Sequence, residues 1–379
     1  MIYKKFKELE LSALGLGAMR LPVVDGDDSK IDMEATRKMV AYAMENGINY
    51  FDTAWAYHGG QSELVMGELL AEYDRESFYL ASKFPGFDEY NMKNPGEIFE
   101  KQLEKCRVDY FDFYLFHCIY EANIDWYLDE KYGTFDYILE QKKKGRIKHL
   151  GFSTHGSLDT MKRFLDAYGK EIEFCQIQLN YFDWKFQDAK AKVELLKEYN
   201  IPVWVMEPVR GGKLASLDKE SETMLKELRA DETIPAWAFR FIQGIDSVVV
   251  TLSGMSNQEQ LSENIITFEE DKRLNDKEEE VLMDIVDKMI EEAAIPCTSC
   301  RYCTAKCPQG LDIPELFSLY NKHRLEKDDT GVIDSKVLAA YDEDKKPSAC
   351  IGCRNCEKMC PQGIKISEVM KKFTKMLGE

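Results

Sequence analysis

Eight of the chain's 11 cysteines stand in two runs of one pattern, C-x2-C-x2-C-x3-C-P. Cys297, Cys300, Cys303 and Cys307 precede Pro308, and Cys350, Cys353, Cys356 and Cys360 precede Pro361. The copies are 53 residues apart, and each continues through Pro-Gln-Gly into a stretch with helical apolar spacing. Thiols packed this densely either pair as disulfides or hold metal. The amino terminus, MIYKKFKELELSALGLG, interleaves charge with apolar residues and lacks the apolar core and cleavage site of a secretory signal. No run approaches the roughly 18 to 20 apolar residues that a spanning helix needs. A cytoplasmic location is therefore expected, and there thiols stay reduced and serve as ligands. The other three, Cys106, Cys118 and Cys175, lie in helix or strand contexts and are expected in the core.

A zinc site takes four ligands, commonly from two C-x2-C pairs. Each run here offers three close thiolates and a fourth set apart before a proline, a spacing similar to that of bacterial two-cluster ferredoxins, whose fourth cysteine reaches the other cluster. The resemblance implies two 4Fe-4S clusters with crossed ligand sets. Cys297, Cys300, Cys303 and Cys360 would hold one; Cys350, Cys353, Cys356 and Cys307 would hold the other. Spacing leaves open whether such clusters carry electrons or only brace the fold. LFSLYNKHRLEK and SKVLAAYDED, between the runs, read as helical, so residues 293–379 are expected to form a small, mainly α-helical dicluster domain.

The remainder, residues 1–292, alternates apolar β-type runs with amphipathic helical ones. Eight strands are expected, at ALGLGAM, NYFDTA, FYLASKF, FDFYLFHC, HLGFSTH, FCQIQLN, VWVMEPV and SVVVTLSG. Eight such units over about 250 residues point to an α/β (β/α)8 TIM barrel, with an open doubly wound sheet as the alternative. YKKFKELELS before the first strand reads as a hairpin under the barrel. Val281, Leu282, Ile285, Met289 and Ile290 mark one apolar face of a helix after it. Lys plus Arg total 50 against 68 Asp plus Glu, a net charge of −18, which argues against nucleic acid or an anionic membrane as partner. From Ile295 onward 14 basic residues face 12 acidic ones, so the acidity belongs to the barrel.

Barrels of this kind place their chemistry at the C-terminal ends of the strands. Asp52 ends the second strand, Tyr57 lies in the loop after it, Lys83 ends the third and His117 ends the fourth. Singly, these read as a helix cap, loop packing, a solvated strand end and a core histidine. Together they suit carbonyl reduction: a phenol is a poor acid near neutral pH unless a cation lowers its pKa, Lys83 is placed to do so, and His117 to orient the substrate oxygen.

INYFDTAWAYHGGQSELVMGELL, LASKF, VDYFDFYLFH and GRIKHLGFSTH resemble the aldo-keto reductases, and the four residues coincide with that family's catalytic tetrad. The resemblance implies a small-molecule carbonyl or alcohol substrate, and NADP or NAD bound across the barrel mouth. It assigns the carboxamide to Ser153, Thr154 and Gln176, and the nicotinamide face to Met206, where many members have an aromatic. Glu207, Pro208, Val209, Gly212, Lys213 and Leu214 fall in the diphosphate loop. Ser253, Gly254, Ser256, Gln260, Glu263 and Asn264 fall at the adenosine site. Gly254 and Gln260 stand where NADP-preferring members often carry basic residues, so the choice between NAD and NADP stays open. Fusion of such a barrel to a dicluster module resembles predicted oxidoreductases of anaerobic prokaryotes. Three readings follow: a carbonyl reductase or alcohol dehydrogenase, an electron-transfer protein with a ferredoxin or flavoprotein partner, and a nucleotide-binding regulatory module without catalysis. A nicotinamide exchanges two electrons and a cluster one, a mismatch that flavins normally bridge.

Overall fold

The computed structural model describes residues 1–292, 295–325 and 342–377. The chain forms two compact units, Met1–Leu282 and Met283–Glu379. One helix, Asp276–Glu292, runs across that division.

In the first unit eight parallel strands close on themselves: β3 (Leu14–Gly17), β4 (Tyr50–Asp52), β5 (Tyr79–Phe84), β6 (Phe111–Ile119), β7 (Ile147–Thr154), β8 (Phe174–Gln178), β9 (Val203–Met206) and β10 (Val248–Ser253). Each overlaps one of the eight expected runs, with β6 running one residue past FDFYLFHC and β7 beginning two residues before HLGFSTH. Closure comes from β10 pairing with β3, with Thr251 opposite Leu14 and Ser253 opposite Leu16, which removes the open-sheet alternative. The expected hairpin is present as β1 (Tyr3–Phe6) antiparallel to β2 (Leu9–Ser12).

Strand alternation fills the barrel and aims its active end. Tyr50, Ala81, Phe113 and Leu115 point into the interior with Phe174, Trp204, Val250 and Leu252. The next residues of the same parity along β4, β5 and β6 are Asp52, Lys83 and His117. Gly15 leaves space in this layer, since a Cβ there would lie 2.8 Å from Leu252 and 3.0 Å from Val250. Phe6 of the hairpin packs edge-on against Trp204 at 5.0 Å and His149 at 5.1 Å, and 5.8 Å from Phe113. It is a plug in the N-terminal end of the barrel. After β3 the chain reaches Asp32, whose carboxylate caps the helix Met33–Glu45 by accepting from the Ala35 amide at 2.9 Å.

The second unit gathers Ile295, Leu311, Ile313, Leu316, Phe317, Tyr320, Ile364, Ile366, Met370 and Phe373 with Cys297, Cys303 and Cys356 into its own core. Its helices are Ile313–Leu325 and Ile366–Met376; the second buries Ile366, Met370 and Phe373, one stripe at helical spacing. LFSLYNKHRLEK is helical as far as Leu325, while most of SKVLAAYDED lies outside the described residues. In the helix Asp276–Glu292, Leu282 and Ile285 are buried as expected, together with Val286, whereas Val281, Met289 and Ile290 are only partly covered. No helix among the described residues is long and apolar enough to cross a membrane.

The barrel plug generates a direct expectation. Phe6→Ala removes a buried ring from a closed aromatic layer and should lower unfolding free energy by about 3 to 5 kcal/mol. In urea unfolding of the holoprotein, the midpoint of the barrel transition should fall with its slope unchanged.

Candidate active site

Asp52, Tyr57, Lys83 and His117 are all buried and adjacent. The Lys83 ammonium donates to Asp52 Oδ1 at 2.5 Å and to the Thr53 carbonyl at 2.8 Å. Its Nζ lies 5.1 Å from the centre of the Tyr57 ring. The Tyr57 and His117 rings meet edge to face at 5.9 Å, and Phe87 covers His117 at 5.0 Å. Local structure fixes the phenol: His58, with φ 53°, accepts from the Leu21 amide through Nε2 at 3.1 Å and so donates through Nδ1 to the Asp28 carbonyl at 2.7 Å. These bonds tie the Tyr57–Gly60 turn to the loop after β3.

Burial pulls Lys83 and Asp52 each toward the neutral form, and their mutual contact opposes it. Burial also lowers His117 well below the usual histidine range, with the Lys83 charge and His155 adding to the effect, so its imidazole is neutral at pH 7. For Tyr57 the expected direction is reversed. Burial raises the phenol well above its ordinary value, with Asp52, Cys118 and Glu207 adding and Arg20 opposing. Lys83 hydrogen-bonds to Asp52 and Thr53, with its Nζ 5.1 Å from the centre of the Tyr57 ring. Tyr57 thus remains a protonated donor instead of a phenol poised near neutrality.

A second buried carboxylate supports this set from behind. Glu63 accepts from Ser82 Oγ at 2.7 Å, Gln102 Nε2 at 2.5 Å and Lys105 Nζ at 3.3 Å. Gln102 also donates to the Lys83 carbonyl at 3.0 Å, and Lys105 lies 3.9 Å over the Trp55 ring. The end of β5 and the loop carrying Tyr57 are therefore joined through one network that carries no sequence motif.

The residues assigned to the nucleotide line the same end of the barrel. Gln176 is buried with its Oε1 lacking a hydrogen-bond partner, an acceptor suited to a carboxamide N–H. Ser153 Oγ accepts from the Cys118 amide at 2.8 Å, which leaves its proton to donate. Thr154 is turned back into the strands: its hydroxyl donates to the Ile119 carbonyl at 2.8 Å and accepts from the Gly156 amide at 3.0 Å. Met206, half-buried, ends β9, and the loop beyond it buries Pro208 and Leu214 and leaves Val209 partly covered. In that loop the amides of Arg210, Gly212, Lys213 and Leu214 all donate to loop carbonyls. Arg210 is buried, its Nε 3.0 Å from Asp183 Oδ1 and its guanidinium 4.6 Å from the Phe182 ring. Asp183 also accepts from Gln178 and Asn180, both at 2.7 Å.

At the adenosine segment, Asn264 donates to Ser253 Oγ at 3.1 Å, Gln260 accepts from the Ser256 amide at 2.8 Å, and Glu263 is partly covered. Here the structure supplies a cation that sequence reading missed. The Arg20 stem lies over Gly254, where a Cβ would be 3.2 Å from it, and the Arg20 carbonyl accepts from Ser256 Oγ at 2.9 Å. Arg20 sits in a loop without motif spacing, and only barrel closure brings it to residues far along the chain.

In the second unit the cysteines sort by cavity and not by order in the chain. Cys297, Cys300, Cys303 and Cys360 line one space of about 300 Å³. Cys307, Cys350, Cys353 and Cys356 line another of about 340 Å³. Ile313 and Ile366 line both, forming a shared apolar wall. Among the described residues no three His, Cys, Asp or Glu side chains converge as ligands of a single ion. Zinc would draw its thiolates to about 2.3 Å of one point, whereas each set of four here is spread around the wall of its own space.

The profile of the Aldo/keto reductase family matches residues 13–287, and that of a 4Fe-4S dicluster domain matches residues 296–365. The chain is 25% identical over 290 residues to the uncharacterized oxidoreductase YqkF of Bacillus subtilis strain 168, covering 68% of this chain and 87% of that protein. It is 25% identical over 304 residues to the NADH-specific methylglyoxal reductase of Escherichia coli K12, covering 68% of this chain and 90% of that one. The holo form of the aldo-keto reductase AKR11C1 from Bacillus halodurans superimposes with a TM-score of 0.60 at 25% identity, over 75% of this chain and 96% of that one.

Pairing by cavity is open to a counting experiment. Cys303→Ala with Cys360→Ala removes two thiols from one space and should leave about half the iron and acid-labile sulfide of the parent protein. Cys303→Ala with Cys307→Ala, closer in sequence but divided between the spaces, should deplete both sites. Ligation in chain order predicts the opposite pair of results.

Proposed function

This chain belongs to the aldo/keto reductase family and carries a 4Fe-4S dicluster domain; on that premise we propose that it reduces a small-molecule carbonyl to an alcohol with NADH or NADPH, using Asp52, Tyr57, Lys83 and His117. The observation that carries this reading is the closed arrangement of those four side chains, built on a buried ammonium held 2.5 Å from a carboxylate. The unpartnered Gln176 oxygen in the same mouth fits a carboxamide, and the methylglyoxal reductase among the relatives performs chemistry of this class.

The residues divide the work by charge state. A bound reduced nicotinamide supplies the hydride. The neutral His117 orients the carbonyl oxygen without competing for its proton, and Tyr57 donates a proton to the oxygen as negative charge develops on it. Lys83, kept cationic by Asp52, stabilises the phenolate left behind. Burial raises the Tyr57 phenol above its ordinary value, so the free site presents its hydroxyl as a donor toward a carbonyl oxygen. Ser153 and Gln176 would hold the carboxamide, with Met206 against the ring. Arg20 and Lys213 would meet the diphosphate, while Arg210, bound to Asp183, holds the loop in shape.

The dicluster unit favours a second role beside catalysis. Two four-thiol spaces sharing one apolar wall suit two 4Fe-4S clusters close enough to exchange single electrons, with a ferredoxin or flavoprotein as external partner. The barrel, roughly residues 1–292, and the cluster module, residues 293–379, would then be separable as domains.

Anaerobically purified holoprotein should oxidise NADH or NADPH in the presence of a simple aldehyde, followed by loss of reduced-nicotinamide absorbance. Tyr57→Phe should lower kcat by about 10²- to 10⁴-fold and leave nucleotide affinity nearly unchanged. Undiminished turnover in that variant would refute the assignment.

A further inference from the structure

Glu207 is the one acid in the loop Glu207–Leu214, and it stands where a polyanion is expected. Its backbone is left-handed, φ 55°. That conformation is rare for a residue with a side chain and persists only where the surroundings impose it. Here they do: its carbonyl accepts from Asn180 Nδ2 at 3.0 Å and from the Arg210 amide at 2.9 Å. Its Oε2 is buried without a hydrogen-bond partner. The charged and titratable groups around the carboxyl come from four places: Arg20 after β3, Tyr57 after β4, Asp183 in the short helix after β8, and Arg210 and Lys213 in its own loop.

We propose that Glu207 meets the diphosphate side of the dinucleotide as a neutral acid, so that nucleotide binding takes up one proton at this carboxyl. This inference rests on the reading that the barrel binds NAD(P). A diphosphate brings two negative charges into the loop, repels a carboxylate there, and competes for Arg20 and Lys213, the cations that favour the ionised form. Protonation removes the repulsion. It also turns an orphan acceptor into an O–H donor toward a phosphate oxygen, in a loop where the amides of Arg210, Gly212, Lys213 and Leu214 already donate elsewhere. The balance is one carboxylate plus one proton from solvent giving one carboxylic acid. Burial, reinforced by Asp183 and opposed by Arg20, Arg210 and Lys213, pushes the free carboxyl up to about 7, so the proton is cheaply available near neutral pH.

The sign of the linkage follows. If the bound state raises this pKa further, affinity is full below about pH 7 and falls as pH rises beyond it, approaching tenfold per unit for a single proton. NADH is the probe of choice, since it lacks the 2'-phosphate that titrates in NADPH. With the full-length holoprotein, NADH affinity measured by fluorescence from pH 6 to 9 should weaken progressively above 7. Calorimetry at pH 8 in buffers of different ionisation enthalpy should report close to one proton taken up. Glu207→Gln, which presents a permanent N–H donor of the same shape, should retain the low-pH affinity and abolish both the slope and the proton uptake. Flat wild-type affinity across this range, or an unchanged slope in Glu207→Gln, would overturn the inference. Failure of NADH to bind at any pH would overturn the nucleotide reading beneath it.

Discussion

Lys83 carries an ammonium with no solvent exposure, and the Asp52 carboxylate 2.5 Å away is what allows it to be there. Desolvating either ion alone costs several kcal/mol, and removing one partner of such a pair typically costs about 3 to 5 kcal/mol. Much of the barrel mouth is arranged around that constraint. The Thr53 carbonyl takes a further Lys83 proton, Gln102 fixes the Lys83 main chain, and Glu63 adds negative potential from the outer side of β5. His117, close to the same cation, is held neutral, and Tyr57 lies with its ring toward it. A buried pair of this kind is weak evidence for stability. Its value is that it fixes two charges in known places where a reaction needs them.

The electrostatics of the mouth are graded along the barrel rim. At the catalytic end, burial favours neutral donors, a protonated phenol and an uncharged imidazole. Toward the β9 and β10 loops, cations gather: Arg20 over Gly254, Lys213 in the loop, and Arg210 anchored on Asp183. Glu207 lies between these regions and influences both, since it acts on Tyr57 and is acted on by Arg20 and Lys213. One titratable group thereby couples the two ends of the mouth electrostatically.

Much of the fold was legible because its periods are short. All eight barrel strands overlap the apolar β-type runs read from the sequence, and the hairpin is an equally local feature. Asp52, Lys83 and His117 converge because each continues an inward-facing parity already set by Tyr50, Ala81 and Leu115. The direction of the Tyr57 shift was not legible, since it is set by how deeply tertiary packing buries the phenol. Nor was the supporting shell: Glu63, Gln102, Lys105, Asp183 and Arg20 carry no motif, and they meet the site only through helix and loop packing.

The sequence by itself determined the number and order of strands, the residues that line one end of the barrel, and the eight thiols with their crossed spacing, because periodicity and chain connectivity are local. Only the tertiary structure decided the charge states and partners. Burial, not chain order, raises the Tyr57 phenol and holds His117 neutral. Barrel closure brings Arg20, in the loop after the first barrel strand, to Gly254 after the last. Packing of the second unit sorts Cys307 and Cys360 into the cavities of each other's run, a choice made by side-chain direction that spacing could suggest but not fix.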